Sequence, residues 1–294
     1  MPAVKVKTES ALRLRPGTVA DANACAAICY DAFTSIAQAH NFPPDFPSPD
    51  VAVGLMQFML SNPQVYSVIA EEDGRVVGSN FLTEGGPIAG VGPITVDPGA
   101  QNGTVGRRLM LDVLERAKSR GAAGVRLVQA AYHGRSLALY AKLGFEVREP
   151  LACVQGSVRD REVAARKVRE ARETDLGACI ALCRAVHGHD RASELAGAID
   201  QKWAMVVENG GRISGYTTMV GFFGHAVGET NDDLKALIGA ATEIAGPGLL
   251  LPMRNTELFR WSLDQGLRVV QTMTLMSIGL YNDPKGAFWP SVLY

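Results

Sequence analysis

The sequence contains no apolar run approaching the roughly 20 residues needed to cross a bilayer, which sets aside a membrane-spanning reading. The first fifteen residues interleave Lys5, Lys7, Glu9, Arg13 and Arg15 with single apolar residues, so the continuous stretch of a signal peptide is missing and export is not expected. Charge of one sign is missing too. With 29 basic and 30 acidic residues the formal charge is -1, which gives no global reason to bind a nucleic-acid backbone or an anionic membrane. A small-molecule partner is expected instead. Cysteine is scarce and odd in number, five in all, which favours reduced thiols and a cytoplasmic location over a disulfide framework. No Gly-Lys-Ser or Gly-Lys-Thr occurs, so a Walker phosphate loop is excluded.

What is present is a globular composition: 294 residues, 47% hydrophobic, 20% charged, with 31 glycines. That length suits two ordinary domains, each able to bury a core without staples. An internal repeat says where they lie. Asp21, Cys25 and Cys29 recur as Asp175, Cys179 and Cys183 at a constant offset, each set preceded by a short strand-like run. Cysteines four apart share a helical face, and His187 extends the second set by a turn; two or three metal ligands were weighed against small core residues, and core is the expectation. Ala70 to Gly78 answers to Val207 to Gly215, two strands around a glycine turn. Lys142 to Val147 answers to Asp264 to Val269, a helix stopped by glycine before a strand. A boundary is expected near 157–166.

The offset between copies shrinks along the chain, so the second has lost residues in two places. One is the proline-rich loop from Gln38 to Asp50, with Phe42 and Phe46; the other is the glycine-rich stretch from Gly85 to Gly92. Long irregular loops are more often functional than connecting, so the proline-rich loop is expected to select an acceptor.

The most specific segment runs from Ile94 to Gly121. A strand through Ile94, Thr95 and Val96 stops at Pro98, a turn follows through Gln101, Asn102, Gly103 and Thr104, and a helix begins with Val105, Gly106 and Arg107. Free amides and the helix dipole at such a start stabilise a pyrophosphate, and small residues let it approach. A Rossmann reading is disfavoured, because its glycine turn follows the first strand.

Val96-x-Pro98-x-x-Gln101 through Gly106-Arg107-Arg108-Leu109 resembles the acyl-CoA-binding motif of the GNAT N-acetyltransferase superfamily. Thr104 stands where that motif has its first glycine. After the strand Gly124 to Ala130, His133-x-x-Ser136-x-x-Leu139-Tyr140-x-Lys142-x-Gly144-Phe145 is similar to the family's second motif, with His133 for asparagine and Ser136 for alanine. The resemblance implies an α/β (α+β) protein of two tandem GNAT-like domains, each a mixed central sheet flanked by helices, over 1–160 and 161–294. It implies acetyl-CoA as cosubstrate, held by Ile94 to Val96, Gln101 to Arg107, His133 and Ser136, with no metal. Tyr140 would protonate the departing thiolate, and the Val96 N–H would polarise the thioester. Glu84, at a strand end, is the first choice of general base, with His133, His40 and water relays behind it.

In the second copy Gly224 to Asp233 replaces the glycine turn with acids, and Ser262 takes the place of Tyr140. That copy is expected to have lost cofactor binding and to serve as scaffold or pocket wall; for Phe288-Trp289 core packing and covering an acceptor both stay open. The implied function is direct transfer of acetyl to an amine acceptor, a small metabolite; tandem members of the family include one acting on an amino-sugar conjugate in mycothiol biosynthesis. Protein lysine acetylation and a non-catalytic acyl-CoA sensor are the alternatives. The oligomeric state is left open.

Overall fold

A computed structural model describes residues 12–101, 103–159 and 163–293. The expectations placed on Asn102, on the first eleven residues and on part of the boundary near 160 lie outside the described residues. The first half runs β1 (Arg13–Pro16), α1 (Ala22–Ala39), α2 (Pro49–Ser61), β2 (Val65–Glu72), β3 (Arg75–Thr83), β4 (Ile88–Val91), β5 (Thr95–Val96), α3 (Val105–Ser119), β6 (Gly124–Ala130), α4 (Gly134–Lys142) and β7 (Glu146–Gln155). The second half repeats the order with β8 (Lys167–Glu170), α5 (Leu176–His187), α6 (Ala192–Asp200), β9 (Met205–Asn209), β10 (Arg212–Thr217), β11 (Ala226–Gly228), α7 (Asn231–Ala240), β12 (Leu249–Pro252), α8 (Thr256–Asp264) and β13 (Arg268–Gly279). A short β14 (Ala287–Trp289) follows.

The repeat extends to individual bonds. Arg15 grips Asp21 through both terminal nitrogens at 2.9 and 2.7 Å and reaches Glu71 through Nε at 2.8 Å. Arg169 does the same with Asp175 and Glu208. Each aspartate also accepts the backbone N–H three residues before it, closing the turn that starts α1 or α5. The paired hairpins follow from backbone chemistry as well. Asp73 and Gly74, and later Gly210 and Gly211, all take positive φ, as a two-residue turn needs to match the twist of its strands. Cys25, Cys29, Cys179 and Cys183 are fully buried in helix faces against the sheets, and burial pushes the Cys25 thiol up to about 11, which suppresses thiolate chemistry.

The stretch from Gly85 to Gly92 corrects an expectation. Its Ile88 to Val91 form β4, a buried strand paired with β3 and, in parallel, with β6.

The halves are joined by strand exchange. The large sheet runs β1-β2-β3-β4-β6-β13-β7-β12, with β5 also paired to β3. Strand β13, from the second half, therefore lies between β6 and β7 of the first and is antiparallel to both. Strand β7 in turn pairs with β12. Met276 of β13 packs in the first half's core, while Ala152 and Val154 of β7 pack in the second's. A division at residue 160 describes the repeat in sequence, but each half borrows a strand from the other. A second sheet runs β14-β11-β10-β9-β8.

Candidate active site

Strands β4 and β5 lie on the same side of β3, and only β4 continues the ladder, meeting β6 over Ile88–Gly90. Beyond that point β5 and β6 separate and leave a gap. The register fixes what faces it. Asp97 N–H donates to Val77 O at 2.9 Å, and Val96 stands opposite Gly78 one position on. Paired residues alternate between exchanging hydrogen bonds and pointing away, so the Val96 N–H and carbonyl turn from β3 into the gap. The carbonyl is taken: Gln101 Nε2 donates to it at 3.0 Å, and Arg135 donates to Gln101 Oε1 at 2.6 Å. The amide remains directed at the cleft. Gly78 permits this closeness, since a Cβ there would lie 2.8 Å from Thr95 O.

At the mouth of the gap α3 begins. Its first amides, those of Val105, Gly106 and Arg107, have no carbonyl a turn earlier within the helix to accept them. Thr104 sits just before with φ of -93°, so the missing glycine imposes no left-handed backbone. The helix ends where Gly121 takes φ of +69°. Across the gap, α4 carries Ser136 and Tyr140 on one face, four residues apart.

These elements enclose a cavity of about 650 Å³. Ile94, Thr95, Val96, Gln101, Gly103, Gly106, Arg107, His133, Ser136 and Tyr140 all line it. Tyr140 is 6% exposed, packs edge-on against Phe145, and burial pushes its phenol up to about 12, so it holds its proton at neutral pH. Ser136 Oγ lies 2.8 Å from His133 Nδ1. Burial, then Arg135 and His40, push His133 down to about 4, leaving the imidazole neutral.

Other expected site residues stand elsewhere. Thr104 does not line the cavity, and the Val105 side chain is buried in the core, leaving only its amide for a ligand. Glu84, expected as general base, is held by Arg116 in a two-pronged ion pair at 2.6 and 3.0 Å, under the face of α3 and away from the cavity. So engaged and so placed, the carboxylate does not reach the cavity. His40 lies outside the cavity, with its ring 5.2 Å from that of Tyr132.

Sequence reasoning missed several lining residues. Asp45 and Gln129 supply polarity, and Phe222, Phe223, Pro247, Met273, Val292 and Leu293 bring the second half to the wall. Asp45 carried a readable signal, as the acid within the proline-rich loop already singled out. The second-half residues carried none, because the exchange that places them is a property of the pairing.

The second half's own counterpart is closed. Asp233 is buried at the start of α7, where it accepts from the backbone N–H and hydroxyl of Thr230, both at 2.9 Å, and from Ser214 and Arg166, both at 2.7 Å. The carboxylate takes the Thr230 amide at the helix start and would repel a pyrophosphate brought there. Strand β14 pairs with β11 on the side that in the first half meets β6, and Trp289, fully buried, fills the core there. Ser262, in the place of Tyr140, spends its hydroxyl on Leu258 O at 2.9 Å. No group of three or more metal-ligating side chains occurs among the described residues, and no helix among them is long and apolar enough to cross a membrane.

A cofactor-type cleft between splayed strands, present in one half and filled in the other, defines a duplicated GNAT-like architecture. Residues 32–145 match the model of the acetyltransferase (GNAT) family. Over 94 residues the chain is 34% identical to an IAA acetyltransferase of Azospirillum brasilense, a match spanning 31% of this chain and 61% of that one. A solved structure from Pyrococcus horikoshii, described as a candidate acetyltransferase, is similar over 100% of this chain and 96% of its own, with a TM-score of 0.73 at 15% identity. A tandem GNAT protein from the clavulanic acid biosynthesis pathway is similar over 94% of this chain and 99% of its own, with a TM-score of 0.55 at 15% identity. Residues 32–145 are thus similar to the GNAT family, and over nearly its whole length the chain shares the fold of a tandem GNAT structure.

Proposed function

We propose that the chain transfers an acetyl group from acetyl-CoA, bound by the first half, directly to an amine on a small metabolite held in the same cavity. The observation that carries this reading is one continuous cavity joining the start of α3, the Val96 amide and Tyr140 to a wall built from the proline-rich loop and the second half. The pyrophosphate rests on the amides from Gly103 to Arg107, and Arg107, Arg135 and Lys142 line the cavity with positive charge from α3 and α4. Gln101 is a positioning residue, because it satisfies the Val96 carbonyl and leaves the N–H to polarise the thioester. The acceptor ammonium first gives one proton to solvent water; the neutral amine attacks the thioester carbon, the C–S bond breaks, the thiolate takes the Tyr140 proton, and the phenolate is reprotonated from the acceptor nitrogen. No metal is part of this proposal.

The test is release of CoA from acetyl-CoA across a panel of amines, read beside calorimetric titration of acetyl-CoA. One site per chain is expected. Tyr140→Phe is expected to lower kcat by about 10²- to 10⁴-fold with little change in acetyl-CoA affinity, since the ring stays and the acid goes. A Tyr140→Phe variant that turns over normally would remove the tyrosine from the mechanism, and binding without turnover of any amine would favour an acyl-CoA sensor.

A further inference from the structure

Beyond Val96 and Tyr140 the cavity changes character. Phe33, Ile36 and Phe46 line it from α1 and the proline-rich loop, and Phe222, Met273 and Val292 line it from the second half. Two polar side chains, Asp45 and Gln129, are set among them. Gln129 is 6% exposed, and neither its Oε1 nor its Nε2 has a hydrogen-bond partner. A buried amide left with both ends unsatisfied is costly, and such a group on a cavity wall marks where a ligand completes the pairing. Asp45 accepts from Gln271 Nε2 at 3.1 Å, a neutral donor, and burial raises its pKa. A carboxylate in that setting is stabilised by an incoming cation. Meanwhile the arginines and lysine of the cavity, Arg107, Arg135 and Lys142, come from α3 and α4.

Resting on the acetyl transfer proposed above, we infer that the acceptor is a small monoamine with a ring-sized apolar body and one neutral hydrogen-bonding group: Asp45 receives its ammonium and Gln129 its hydroxyl or amide. The apolar walls match the body. A free amino acid would bring a carboxylate to walls, those of α1, the proline-rich loop, β6 and the second half, from which no lysine or arginine lines the cavity, and a polyamine would bring more cations than one carboxylate can pair. Gln129, which both donates and accepts, suits a neutral group rather than a charged one.

The experiment follows CoA release by the full chain with tyramine, phenethylamine, tyrosine, spermidine and a lysine-containing peptide. Tyramine is expected to exceed tyrosine in kcat/KM by about 100-fold or more, because the two differ by a carboxylate that would be buried unpaired. Asp45→Asn, which keeps size and removes charge, is expected to raise the KM for tyramine about 10- to 100-fold while leaving the acetyl-CoA Kd within about twofold. Gln129→Leu is expected to erase the preference for tyramine over phenethylamine. If tyrosine, spermidine or the peptide is the best acceptor, or if Asp45→Asn leaves the KM for tyramine unchanged, this inference falls while acetyl transfer stands. If acetyl-CoA binds but none of the amines is turned over, the inference falls as well. If acetyl-CoA does not bind the wild-type chain, both readings fall together.

Discussion

Gly106 separates what the fold requires from what a ligand requires. A Cβ added there would meet Val96 Cγ2 at 3.7 Å and Leu139 Cδ2 at 3.8 Å, which is ordinary van der Waals contact. The residue lies in the first turn of α3 with negative φ, and alanine is favoured over glycine in a helix by about 0.5–1 kcal/mol. Without ligand, Gly106→Ala is therefore expected to raise Tm by about 1–3 °C in a chain of this size. The new methyl would nonetheless stand in the cleft between β5 and α4, where the proposed cofactor would approach the helix amides. Displacing it enough to lose one charge-assisted hydrogen bond, worth about 1.5–3 kcal/mol, weakens binding about 10- to 100-fold. Thermal denaturation of the free protein and calorimetric titration with acetyl-CoA read the two effects separately. A destabilised variant with unchanged affinity would refute the reasoning, because it would make Gly106 a packing requirement. Gly78→Ala is the contrast: its Cβ would lie 2.8 Å from the Thr95 carbonyl, so β5 must shift and stability is expected to fall.

Two further expectations concern the duplicated frame. The Arg15 guanidinium, with help from Thr18, holds the Asp21 carboxyl down at about 2, from an ordinary value of 3.8. A carboxyl with a depressed folded pKa contributes stability that is fully present above about pH 4 and lost as pH falls towards 2; the shift corresponds to about 2 kcal/mol. Denaturant unfolding across that window should lose this increment in the wild type and show a shallower slope in Asp21→Asn; identical slopes would exclude the pair as a source of acid sensitivity. Trp289→Ala empties a fully buried site in the second half's core and is expected to cost about 3–5 kcal/mol, with acetyl-CoA still binding at one site per chain. A second cofactor site in that variant would show that the tryptophan merely blocks a working cleft.

The features legible in the sequence were those set by local chemistry. A strand ending before Pro98, a helix closed by Gly121 and a second helix carrying Tyr140 follow from turn residues and periodicity, and they stand where such signals put them. The repeat was legible because Asp21 and Asp175 close the same turn in the same way. Strand β4 was not, since its Ile88-Ala-Gly-Val91 core is hidden among glycines and prolines that read as loop. Glu84 had the right residue type at a strand end, but its partner Arg116 lies a helix away, and only tertiary packing reveals that the carboxylate is engaged. The position of β13 was least accessible, because β7 and β13 have equivalent patterns and nothing in either says which half it completes.

That exchange accounts for a second half that has closed its own cleft. Once β13 lies between β6 and β7, its Met273 faces the first half's cavity, and its Gln271 holds Asp45 in the cavity wall. The segments around Phe222, Pro247 and Val292 reach the same wall from the second half. The interior of the second half is then under a different demand: it has to be rigid enough to hold those side chains in place. A gap between β11 and β12 would work against that, and β14 with Trp289 fills it with close-packed apolar surface. Asp233 likewise turns an anion-binding helix start into a capped one tied to Ser214 and Arg166. In this arrangement the closing of one cleft and the shaping of the other are two consequences of the same packing.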